Sequence, residues 1–276
     1  MSSGFEEIGE RVYLLRQPAL DVNVTLVVGD GEALLVDTLS NAAQAGELAV
    51  AARAITPYPW TLVNTHHHFD HCFGNATLAG EPARPIYAHR AAAARLREQP
   101  ELVRQQAYDE MRDAEPLLAA ELLRTTILAP THPVHLESTL DIGGRTVVLR
   151  HLGRGHTDGD LVVEVPDADL LVAGDLVESS GPPSFYDSYP LEWPETVAEL
   201  LRLAGPRTVI VPGHGAVFGV DGVRAQHEQL STLAWLIRDG HADGAPPERV
   251  AARAPFTPTA TMPAIHLGYA ALSGDT

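Results

Sequence analysis

Short apolar runs separated by polar breaks dominate the first third of the chain, and their length and Val/Leu content predict strands. "RVYLLR", "VNVTLVVG" and "ALLVD" are three such runs, with "GDGE" between the last two as a hairpin turn. After Asp37, "LSNAAQAGELAVAARAI" takes helical spacing, with Ser40 or Asn41 as its cap. "WTLVNT" is the next strand, and it runs straight into "HHHFDHC". From His89 to Leu128 the period is helical, with breaks expected at Pro100 and Pro116. Strands return in "HPVHLES", "RTVVLRHL", "DLVVEV" and "DLLVAGD". A helix "PETVAELLRLAG", a strand "RTVIVPG" and a helix "GVRAQHEQLSTLAWLIRDG" follow. Two blocks of strands, each with its own helices, predict an α/β fold of two sheets packed face to face with helices outside. Residues 1–240 are expected to form one catalytic domain that includes the helical segment 89–128. Residues 241–276 are a Pro-rich tail of low helical potential, with "AIHLGYAAL" docked on the body.

Composition narrows the function classes. At 276 residues and 45% hydrophobic, the chain can bury a substantial core. The formal charge is −17, and all nineteen basic residues are arginines. Such a surface repels polyphosphates, so the expected partner is a small molecule and not nucleic acid. Without lysine, no Schiff-base mechanism is open. Cys72 is the single cysteine and is expected to be a buried small hydrophobe. The start, "MSSGFEEIGERVYLL", has acidic residues where a secretory signal has basic ones, and no segment approaches the roughly 18 apolar residues of a membrane helix. A cytoplasmic protein without membrane contact, with a homodimer possible, is the expectation.

The chemistry is concentrated in "NTHHHFDHCFGN". If "LVNTHHH" is extended, His66 and His68 share one face and His67 takes the other. Two imidazoles so placed can grip a metal ion, and Asp70 and His71, beyond the strand end, offer a second pair. Borderline-soft divalent ions take such nitrogen and oxygen ligands, zinc most commonly. Three further groups sit where a strand stops and a Gly-containing loop begins: His156 in "GRGHTDGD", Asp175 in "LLVAGD" and His214 in "VIVPGHG". His89, His132, His135, His151, His227, His241 and His266 occur singly and are read as surface or core histidines.

With these segments in this order, the sequence resembles the metallo-β-lactamase superfamily over nearly its whole length. Asp37 in "LLVDT", the T-H-x-H-x-D-H pattern from Thr65 to His71, then His156, Asp175 and His214 carry the resemblance. It implies an αββα four-layer sandwich of two mixed β-sheets flanked by helices. It also implies two zinc ions per chain: His66, His68 and His156 on the first, Asp70, His71 and His214 on the second, and Asp175 between them. Asp37 corresponds to an acid that steadies the ligand loop. The implied chemistry is attack by a metal-bridging hydroxide on the carbonyl of an ester, thioester, lactone or lactam, with Asp70 as proton acceptor.

Two departures bear on the substrate. Asp175 stands where some lactamases place a cysteine ligand, which points to the thioesterase, lactonase and phosphodiesterase branches. The lysine that grips the antibiotic carboxylate in some lactamases has no counterpart here. Tyr186 and Tyr189, in "SSGPPSFYDSYPLEWP", are candidates to line the pocket and donate to the oxyanion. The alternative reading is a mononuclear iron dioxygenase acting on a persulfide, with one Fe2+ on His66, His156 and Asp175. A phosphodiesterase or nuclease is a further alternative, disfavoured by the charge.

Overall fold

A computed structural model describes residues 4–80 and 83–274. Two mixed sheets stack face to face with helices on both outer faces. The first sheet runs in chain order: β1 Glu6–Gly9, β2 Val12–Gln17, β3 Val22–Val28, β4 Ala33–Val36, β5 Trp60–Val63, β6 Ile86–His89 and β7 His132–Val134. Its first four strands pair antiparallel and the rest parallel. The second contains β8 Glu137–Ile142, β9 Arg145–Arg150, β10 Val162–Val165, β11 Leu170–Gly174 and β12 Val209–Pro212. Only its β11–β12 pair is parallel.

Alternation in β3, "VNVTLVV", shows how the layers arise. Val22, Val24, Leu26 and Val28 face outward onto α1 (Ala42–Ile55), among Leu48, Ala52 and Leu62. Val27 faces inward, into a core shared with Val147, Leu149, Val163 and Val172 of the other sheet. A strand buried on both faces reads as a nearly continuous apolar run, as this one does. Asn41 caps α1 by accepting from Gln44 N at 2.9 Å.

Beyond β5, the short helix α2 (Phe69–Cys72) lies against an insert of α4 (Arg90–Glu98), α5 (Pro100–Met111) and α6 (Pro116–Leu122), and α3 (Asn75–Ala79) lies against α1. Phe69, Cys72 and Phe73 bury themselves among Leu96, Val103, Ala107 and Leu122 of that insert. Cys72 is thus the buried small hydrophobe expected of it, its Sγ 3.2 Å from His67 O. The other outer layer consists of α7 (Trp193–Leu203), α8 (Val220–Ala242), α9 (Pro247–Ala251) and α10 (Pro258–Ser273).

Two local expectations change. "HPVHLES" is not one strand: β7 and β8 belong to different sheets, and the chain crosses between them at His135 and Leu136. The low helical potential expected after His241 is overturned, because Pro247 and Pro258 each occupy a first helical turn, where a missing N–H costs nothing. Val250, Ala251, Ala264 and Ile265 of these helices join the core of the second outer layer. No helix among the described residues is long and apolar enough to cross a membrane.

Candidate metal centre

Every group singled out from the sequence as a metal ligand meets at one edge of the sandwich. The fold brings them there from strand ends: Asp37 follows β4, the histidine run follows β5, Asp175 follows β11 and His214 follows β12. His156 sits in the loop between β9 and β10. The run itself is not extended. It forms a succession of bends between Val63 and Phe69, so strand alternation does not set its faces. The His68 ring lies 4.8 Å from those of both His66 and His67, and His67 Nε2 turns to Asp187 Oδ2 at 3.2 Å.

Around this edge each converging histidine gives one ring nitrogen to the protein and leaves the other facing the centre. His66 Nδ1 donates to Thr65 Oγ1 (3.0 Å), whose hydroxyl donates to Asp37 Oδ2 (2.9 Å). His71 Nδ1 donates to Asp37 Oδ2 (2.8 Å), His214 Nδ1 to Leu20 O (2.7 Å) and His156 Nδ1 to Ser184 O (3.3 Å). His68 is reversed, with Nε2 on Asp187 Oδ1 at 3.0 Å and Nδ1 inward. These partners select the tautomer whose bare nitrogen points to the centre.

Of four donor groups among the described residues with atoms mutually within 4.8 Å, two make up the centre: His66, His68, His156 and Asp175, and Asp70, His71 and His214. Asp175 lies between them, its Oδ2 3.4 Å from both His156 Nε2 and His214 Nε2 and its Oδ1 3.2 Å from His71 Nε2. His66 Nε2, on a residue only 1% exposed, has no hydrogen-bond partner, and neither has Asp175 Oδ1. His71 Nε2 and His214 Nε2 face each other at 3.3 Å. Buried polar atoms left bare are costly, and a cation at the centre would engage them all. The residues therefore fit a metal.

The electrostatics agree. Burial opposes charge on His71 and His214, yet Asp175 and Asp70 outweigh it and hold both imidazoles above their ordinary range. Burial would likewise lower His68, but Asp187 raises it to about 9. Burial pushes His66 well down, and His156 to about 4. Carboxylates that retain protons on two imidazoles would stabilise a divalent cation in their place.

Backbone features support the loops. Asp37 holds a left-handed conformation (φ 68°) from which its carboxylate reaches Thr65 N at 2.7 Å as well as His71. Gly213 precedes His214 so closely against Asp175 that a Cβ would overlap Oδ1. Asn75 ties the region together, accepting from Thr38 Oγ1 and Asn64 Nδ2 and donating to Asn64 Oδ1 and Leu128 O.

Several contributors lay outside the sequence reading. Asn23 Nδ2 donates to Pro212 O and Gly215 O, bracketing His214, and the signal was an Asn within a largely apolar strand. Asp160 accepts from Thr157 N and Oγ1, closing the loop that presents His156. Burial pushes its carboxyl up to about 7. Glu178 approaches Asp175 and His214, and Asp187 orients His67 and His68. Nothing local distinguishes these acids from surface ones. Of the two tyrosines, Tyr186 is 72% exposed at the rim of the adjoining cavity. Tyr189 does not line it, and Arg154 lies over its ring at 4.4 Å.

Comparison with known proteins places these features in context. The family model described as the metallo-beta-lactamase superfamily matches residues 18–214. A metallo-beta-lactamase type 2 of Bacillus cereus is 28% identical over 159 residues, 56% of this chain and 52% of that protein. Metallo-beta-lactamase IND-1 of Chryseobacterium indologenes is 34% identical over 76 residues, 26% of this chain and 32% of its own. The chain spans about half the length, or less, of the curated relatives it matches. Among solved structures, DIM-1 metallo-beta-lactamase superposes with a TM-score of 0.66 at 20% identity, covering 83% of this chain and 96% of that one. A metallo-beta-lactamase from Pontibacter korlensis gives 0.64 at 19% identity, covering 82% and 98%. At such identities the likeness is one of fold.

Proposed function

The chain belongs to the metallo-β-lactamase superfamily, and from that membership we propose that it is a dinuclear zinc hydrolase acting on a small acyl substrate: an ester, thioester, lactone or lactam. One observation carries the reading. Five histidines each give one nitrogen to a protein acceptor and turn the other, with Asp70 and Asp175, onto one centre.

His66, His68 and His156 would hold one ion, Asp70, His71 and His214 the other, with Asp175 between them. Bound there, zinc supplies a Lewis acid for the carbonyl and lowers the pKa of water to near neutrality. The chain's own residues do the rest. Asp70 Oδ2, 3.3 Å from His214 Nε2, is placed to take the proton from the attacking water and return it to the leaving group. Asp37 and Asp187 fix the rings of His71 and His68. A cavity of about 200 Å³, lined by His68, Asp70, His156, Asp175 and His214, brings the substrate carbonyl against the donors.

Elemental analysis of protein purified without added metal, followed by turnover assays on esters, thioesters, lactones and β-lactams, tests this. About two zinc per chain and loss of turnover in His68→Ala are expected. Full activity of a metal-stripped sample would sink the proposal, and one iron with no zinc would favour the persulfide dioxygenase.

A further inference from the structure

Glu178 stands three residues beyond Asp175, in the turn that leaves β11, and has no place in the donor set drawn from the sequence. Its carboxylate nevertheless comes within 4.8 Å of donor atoms of both Asp175 and His214. It also lines the cavity of about 200 Å³ that contains the centre. Glu110 lines the same cavity but belongs to no such donor group among the described residues.

The backbone at Glu178 is fixed from two sides. Glu178 N donates to Gln226 Oε1 at 2.8 Å, and Gln226, buried on α8, donates in turn to Leu176 O at 3.1 Å. Ser179 N donates to His214 O at 3.1 Å and Ser179 Oγ to Ala216 O at 2.7 Å, which ties the turn after β11 to the His214 loop after β12. These bonds hold position 178 beside His214 independently of its side chain.

The carboxylate itself has no hydrogen-bond or ion-pair partner among the described residues. His71 and His214 are already shared between Asp70 and Asp175, so Glu178 adds a third acid with no partner of its own. A separate observation points to an ion at the same place: Asp175, only 6% exposed, leaves Oδ1 without a hydrogen bond.

Building on the dinuclear reading, we infer that Glu178 is a further ligand of the second ion, shared with Asp70, His71 and His214. With Asp175 between the ions, the second position then has three carboxylates and two imidazoles, against three imidazoles and one carboxylate at the first. Oxygen donors suit harder ions, so the two positions differ in kind.

The test titrates chelator-stripped full-length protein with zinc against a chromophoric chelator, in wild type and in Glu178→Gln, which keeps the side-chain volume. Two equivalents are expected to bind the wild type. In the variant the first binds as before and the second is weakened at least about tenfold. The same titration with Co2+ reads the donor set directly, because losing a ligand changes the visible band of the second equivalent. Glu178→Ala removes the donor without adding a polar group and should give the same pattern, which guards against a folding defect peculiar to one variant. Equal affinities in wild type and both variants overturn the inference and leave the dinuclear reading intact. A weaker second equivalent with an unchanged Co2+ band also overturns it, since Glu178 would then act only as a nearby charge. Wild type that binds a single ion would overturn the dinuclear reading, and the inference with it.

Discussion

Asp187 determines which nitrogen of His68 is free. Its Oδ1 takes the Nε2 proton, which leaves Nδ1 pointing inward, 2.8 Å from His156 Nε2. Asp187→Asn weakens that selection without emptying space, so metal affinity should fall about 10- to 100-fold, measured by competition with a chromophoric chelator. Unchanged affinity would show that His68 is oriented by the loop alone. The histidines and Asp70, Asp175 and Asp37 were legible as residues, because dense donors next to predicted strand ends are unusual. Asp187 was not, since it reaches His68 across 119 positions through a loop whose path sequence does not reveal.

At the scale of elements, a stacked pair of histidines links the two sheets. His89 ends β6 of the first sheet and His151 follows β9 of the second, with ring centroids 4.0 Å apart and planes at 15°. Gly159 lets the His156 loop pass close by, for a Cβ there would stand 2.9 Å from Ala92 N. Burial first, and then the neighbouring His151, push His89 down to about 4 from an ordinary 6.5. Between those values the unfolded chain binds the proton and the folded one does not. Stability therefore falls as pH drops from about 6.5 towards 4. His89→Gln should flatten this acid limb in a melting-temperature series, and an unchanged limb would refute the assignment. Element type was readable wherever the period was long, as in α1, α7 and α8. The four-residue strands β1 and β6 were too short to show a period, and the division of "HPVHLES" between two sheets leaves no trace in alternation.

Considered whole, the molecule carries −17 in formal charge and gathers Asp70, Asp175 and Glu178 at one edge. Burial and Asp175 raise Glu178 well above the carboxylate range. Ions that bind only the folded state add stability by mass action, about 4 kcal/mol at a thousandfold excess over Kd. Dialysis against a chelator should lower the melting temperature by several degrees and zinc should restore it, whereas an unchanged temperature would argue against resident metal. By itself the sequence determined the strands and helices of clear period, the four-layer arrangement through its resemblance, and the donor-type side chains beside strand ends, because each is encoded in residue type and local spacing. Only the tertiary structure decided which nitrogen each imidazole exposes and that Asp187 reaches His67 and His68. Those outcomes depend on contacts between segments far apart in the chain, and such contacts exist only once both sheets have closed on their shared core.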